Sequence, residues 1–152
     1  MRKSLLKILL ILLVSNTALS EEKFNHLGSF KNIRATDTGH CYGTSISIWE
    51  LNDKKIIGLL SVHTGLCGDP PCSILQGSIK INEISFKTNY PIYNVHYSFS
   101  GKITNDELSG QLNNESIILK SYSYNPPYKN IERWCVIWSK ISRCRGVKEY
   151  CR

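Results

Sequence analysis

The sequence has little of what a catalytic or membrane-embedded chain relies on. After residue 14 no apolar stretch approaches the roughly 20 residues a spanning helix needs. No Gly-x-Ser-x-Gly element joins a strand to a helix, and no glycine-rich phosphate loop is present. Low-complexity tracts and clear repeats are absent. No basic stripe runs between the aromatic residues, so nucleic-acid binding has no support. His63, Cys67 and Cys72 match none of the usual zinc spacings. The carboxylates Glu50, Asp53, Asp69, Glu83, Asp106, Glu107 and Glu115 fall mostly in or beside turns, where acids are solvated. Glu50 alone lies well inside a strand pattern, and its expected place is the wet face. His26 is expected to be mobile near the mature N-terminus, and His96 to face outward. No catalytic, cofactor-binding or metal-binding residue is therefore assigned, and an enzyme is the least favoured class.

What is present begins with an export signal. Arg2, Lys3 and Lys7 form a basic start, and residues 5–14 are apolar apart from Lys7. Ala18-Leu19-Ser20 then places small residues at −3 and −1 of a cut before Glu21. These three parts make a secretory signal over residues 1–20. The mature chain is expected to be secreted or periplasmic, without an integral membrane segment.

All six cysteines (Cys41, Cys67, Cys72, Cys135, Cys144 and Cys151) follow that cut. An even count in an exported chain of this size reads as a disulfide framework. Cys67 and Cys72 flank Gly68-Asp69-Pro70-Pro71, a turn-forming insert, and are expected to pair. Cys144 and Cys151 flank Gly146 and are expected to close a second local loop. Cys41 then joins Cys135, although Cys135 has Cys144 and Cys151 as alternative partners.

Removing Arg2, Lys3 and Lys7 leaves 16 basic against 12 acidic residues, a mature net charge of +4. Residues 129–152 hold seven bases and two acids, so the excess belongs to this C-terminal segment and the body is nearly neutral. A basic segment of this kind meets acidic or anionic surfaces, or is a solvated helix face.

From residue 29 the apolar period is two. Leu75, Gly77, Ile79 and Ile81 alternate with polar residues, as do Ile84, Phe86 and Thr88. Val95, Tyr97, Phe99, Gly101 and Ile103 continue the pattern, followed by Leu108, Gly110 and Leu112. Strands are expected over residues 29–35, 41–51, 56–63, 75–81, 84–88, 95–103, 108–112 and 116–122. Asn52-Asp53, Asn82-Glu83, Asn105-Asp106 and Asn113-Asn114 supply turn chemistry between them. Gly77, Gly101 and Gly110 fall on the inward face, where glycine permits the bend of a closing sheet. The fold class is all-β: an antiparallel meander of about eight strands closing into a small barrel, with a C-terminal helical segment. One domain spans residues 21–128, and residues 129–152 pack on it.

A signal peptide, about eight meandering strands and a helical tail together resemble the calycin, or lipocalin-type, barrel. The hairpin over residues 99–112 is the most characteristic piece. The Gly-x-Trp signature of true lipocalins is absent, and Gly28-Ser29-Phe30 is only a loose echo. The resemblance is one of architecture, and it implies no site residues.

In the tail, Ile131, Trp134, Trp138 and Ile141 recur at helical spacing behind Asn130, an acceptable N-cap. A strand through Trp134, Val136 and Trp138 is the competing reading. The tryptophans are expected to cover the barrel, or to meet a partner together with arginine. Asp69, Trp134, Trp138, Arg143 and Arg145 are the candidate partner contacts. Asn114-Glu115-Ser116 matches a glycosylation acceptor. The expected function is a monomeric binding or inhibitory module with a protein partner. The alternative is a carrier with one small apolar ligand in its lumen, disfavoured by Phe86, Tyr97 and Phe99 pointing inward.

Overall fold

A computed structural model describes residues 24–124, 126, 128 and 130–152. The expected signal peptide and its cut before Glu21 lie outside those residues, as does Lys129. Among the described residues no helix is long and apolar enough to cross a membrane.

The chain is mostly β. Its strands are β1 (Asn25–Lys31), β2 (Arg34–Ala35), β3 (His40–Glu50), β4 (Lys55–Leu66), β5 (Cys72–Lys80) and β6 (Glu83–Thr88). They continue with β7 (Ser98–Ile103), β8 (Glu107–Leu112), β9 (Glu115–Ser121) and β10 (Cys144–Arg145). Consecutive strands from β3 to β9 pair antiparallel, and β1 bonds to both β9 and β3. That double pairing closes an eight-stranded barrel and leaves no free edge in the wall. The short β2 extends β3, and β10 adds to β5 in parallel.

Alternation decides which residues fill the barrel. Phe30, Ile46, Ile48, Leu60, Leu75, Ile84, Phe86, Phe99, Leu108 and Leu119 belong to one buried cluster inside it. Phe86 and Phe99 stack at 5.0 Å across β6 and β7. The inward glycines serve close approach. Gly101 and Gly110 face each other, and a Cβ on either meets the other's Cα at 2.6–2.7 Å and the Phe99 ring at 2.8–3.0 Å. Phe99 thus lies over a glycine pair and supplies the apolar surface that the two residues lack.

β3 and β4 also bury their outer faces. Trp49, Ile57, Leu59 and Ile74 form a second cluster with Trp134, Val147 and the Cys72–Cys144 disulfide. This is where the tail docks. Asn130 caps its helix (Ile131–Trp138), the side-chain oxygen accepting from the Arg133 backbone N–H at 2.9 Å. The helical reading of the tail therefore holds and the strand reading does not. Trp134 is fully buried against Trp49, with ring centroids 5.9 Å apart.

Several expectations need correction. Ile81 is a turn residue with φ 59°, not an inward strand residue, and it is 86% exposed. Residues 95–97 precede β7. Instead, Ile92 and Val95 bridge around Tyr93 and Asn94, which both have positive φ, as a two-residue hairpin turn requires. The first strand starts at Asn25, so His26 is held in a ladder opposite Trp49 rather than mobile. Glu50 shares the inward phase of Ile46 and Ile48 and borders one mouth of the barrel, rather than the wet face.

None of the three preferred disulfides forms, although Cys135 takes one of its two alternative partners, Cys151. Cys41 bonds Cys67, Cys72 bonds Cys144 and Cys135 bonds Cys151. Strand register gives the reason. His40 is opposite Leu66, so Cys41 and Cys67 lie side by side with Cα atoms 4.9 Å apart. Cys72 is instead opposite Cys144 in the β5–β10 pair, at 4.3 Å.

Candidate functional site

The β3–β4 ribbon is longer than the wall around it. Its ladder runs from Glu50↔Ile56 to His40↔Leu66, whereas β5 pairs β4 only as far as Ser61 and β1 pairs β3 only as far as Ser45. The last five pairs of the ribbon therefore overhang one end of the barrel. Asn32 anchors the base of the overhang, donating its backbone N–H to the Thr44 carbonyl and accepting the Thr44 N–H on its side-chain oxygen at 2.8 Å. Gly43 is required there, because its φ is 132° and a Cβ comes within 2.8 Å of the Asn32 carbonyl.

Beyond the barrel the inward phase of the ribbon has nothing left to fill. Tyr42 and Leu66 continue that phase and are exposed. His40 stacks on Tyr42 at 6.5 Å. At the same end the loop between β6 and β7 plugs the barrel with Ile92, fully buried, and exposes Tyr93 and Val95. Four of the seven exposed large apolar side chains among the described residues thus lie at one end. Two disulfides, Cys41–Cys67 and Cys72–Cys144, hold the loop that joins this ribbon to β5.

The expected contact residues divide. Asp69, in that loop, and Arg143, in the tail, form an ion pair at 2.7 Å. Trp138 is half-buried and lines the same side cleft as Arg143. Arg145 donates to the Pro91 carbonyl at 3.3 Å, tying the tail to the loop between β6 and β7. Trp134 is not a contact: it is entirely covered and belongs to the core. Tyr42, Leu66, Tyr93 and Val95 were missed. Apolar alternation in β3 and β4 is the same inside and beyond the barrel, so only the register shows where the wall stops.

A cleft of about 170 Å³ lies beside this end, between the outer face of the ribbon and the tail. Its floor carries Ser45 and Ser61, opposite each other, and Ser47, opposite Leu59. Ser47 hydrogen-bonds the buried Ser29 hydroxyl at 2.8 Å, and Ser29 lies 3.2 Å from His26 Nε2. Burial lowers the His26 pKa and favours its neutral form. Tyr122, Tyr124 and Trp138 form the walls. Burial and the Tyr128 hydroxyl, 3.3 Å away, raise the Tyr124 phenol well above its ordinary value, so it stays a neutral donor.

The remaining histidines and cysteines do not converge. His96 donates to the Thr88 carbonyl at 3.4 Å, and desolvation lowers the His63 pKa. Cys67 and Cys72 are both oxidised, which removes the thiolates that a metal reading with His63 needs. Asn114 is exposed at the tip of the β8–β9 hairpin.

Set against known proteins, the chain matches no family model, no curated protein and no solved structure.

Proposed function

We propose that this is an exported, disulfide-bonded β-barrel binding protein that engages a protein partner through the overhanging end. One observation carries the reading: exposed Tyr42, Leu66, Tyr93 and Val95 gather at a single end whose loops are pinned by Cys41–Cys67 and Cys72–Cys144. Apolar side chains on a cross-linked frame lose little conformational entropy on binding, which favours affinity. Aromatic residues at such positions are the usual anchors of protein interfaces. Asp69 and Arg143 supply a polar rim. The three disulfides fit an oxidising, extracytoplasmic compartment. The filled interior supports this reading over the apolar carrier, since Phe86 and Phe99 occupy the space a carrier keeps open. Kinship with the calycins stays a proposal resting on the closed eight-stranded meander and its tail helix.

A photo-crosslinking residue placed in turn at Tyr42, Tyr93 and Ile118 tests the proposal in the protein's own extracytoplasmic environment. Ile118 is exposed on the side wall and serves as the control. A discrete protein adduct at Tyr42 and Tyr93 but not at Ile118 is expected. Equal labelling at all three positions, or none, overturns the reading.

A further inference from the structure

We propose that the side cleft between the serine face of β3 and β4 and the tail binds a single neutral sugar unit. This site adjoins the protein-binding end and shares Arg143 with its rim, but it does not depend on that reading.

The outer face of the ribbon changes character along its length. Toward one end, Trp49, Ile57 and Leu59 are covered by the apolar side of the tail. Toward the other, the outward positions are Ser45, Ser47 and Ser61. A tail that only sealed the sheet would favour apolar residues there too. The Ser45 and Ser61 side-chain hydroxyls have no hydrogen-bond partner among the described residues, so they stand ready as donors and acceptors.

Aromatic rings stand over this hydroxyl floor. Tyr122 follows β9 and is fixed by its backbone N–H donating to the Ser29 carbonyl at 3.0 Å. Trp138 packs its indole on Trp134 and Tyr128, with ring centroids 6.5 and 6.4 Å apart, and borders the cleft as an apolar wall. A sugar ring matches this set: its C–H faces suit aromatic walls, and its hydroxyl edge suits the serines.

Size and charge narrow the ligand. At roughly 30 Å³ per water, 170 Å³ is the space of about five or six waters, which suits one ring and is below the usual volume for drug-sized ligands. Both cations beside the cleft are already engaged, Arg143 by the Asp69 carboxylate and Lys31 by the Tyr122 ring at 4.6 Å. An anionic sugar has to displace those contacts, whereas a neutral one does not.

The test uses the oxidised mature chain and ligand-observed NMR with glucose, galactose, mannose and N-acetylglucosamine at millimolar concentration. Saturable binding of at least one sugar is expected. Ser45→Ala combined with Ser61→Ala keeps the core intact and should weaken that binding by about tenfold, in keeping with two lost hydrogen bonds. If none of the four sugars binds, or if binding survives the double serine variant within about twofold, the assignment is wrong.

Discussion

Asp69 and Arg143 are 74 residues apart in sequence and 2.7 Å apart in space. Their ion pair marks the line along which the tail is attached to the barrel. It adds little to stability. Both side chains are well exposed, at 76% and 39%, and exposed pairs contribute at most about 1 kcal/mol. Asp69→Asn should therefore change urea-unfolding stability by less than about 1 kcal/mol, with the difference shrinking in high salt. A larger loss would show that the pair holds the loop in place.

The covalent attachment beside it matters more. Cys72–Cys144 spans 72 residues, against 26 for Cys41–Cys67 and 16 for Cys135–Cys151. In the chain-entropy model these loops contribute about 4.4, about 3.5 and about 3.1 kcal/mol. Replacing both cysteines of a pair by alanine should rank the losses in that order in urea unfolding. Non-reducing peptide mapping should recover the same three pairs. A peptide joining Cys67 to Cys72 would contradict the strand register itself.

Trp134→Ala removes a fully buried indole from the cluster that binds the tail to Trp49, Ile57 and Leu59. A loss of about 3–5 kcal/mol is expected, as for other large-to-small changes in a core. Truncation after Tyr128 should also destabilise the barrel, because it exposes the same outer face. Thermal unfolding of both variants checks this, and an unchanged melting temperature would place the tail outside the folded unit.

Ile81 is a β-branched residue held at φ 59° and almost fully exposed, so nothing in the core repays its backbone conformation. Ile81→Gly should raise stability by about 1 kcal/mol. A drop in stability would show that its side chain makes a contact worth more than the strain.

Much of the barrel was legible in the sequence because a period of two survives in β6, β7 and β8. Phe86, Phe99, Leu108 and the inward Gly77, Gly101 and Gly110 fell where the alternation put them. The site was less legible. Disulfide partners depend on register between distant segments, and a local turn between Cys67 and Cys72 outweighed the longer-range pairing of β3 with β4. Trp134 and Trp138 share one short helix, yet one is core and the other lines a cleft, a distinction the docking angle decides. Serines at 45, 47 and 61 read as an ordinary wet face until the tail is seen to roof them.

His26 gives the fold a pH dependence of definite sign. Desolvation lowers its pKa from 6.5, more than its backbone hydrogen bond to Gly28 raises it. Its neighbours are the Ser29 hydroxyl at 3.2 Å and the rings of Trp49 and Tyr124 at 5.1 and 6.2 Å, none of them an anion. The folded state therefore prefers the neutral ring. Above the unfolded value of 6.5 neither state is protonated, and stability is at its full value. As pH falls below that, the unfolded chain takes up the proton first and stability declines. The decline ends once the folded ring titrates as well. His63 is shifted the same way by desolvation, so two variants are needed to separate them. Melting temperature should fall between about pH 7.5 and about pH 5 in the wild type. It should fall less in His26→Gln, and less again when His63→Gln is added. A wild-type melting temperature that rises over this interval, with the rise abolished by His26→Gln, would mean that the folded state favours the charged ring.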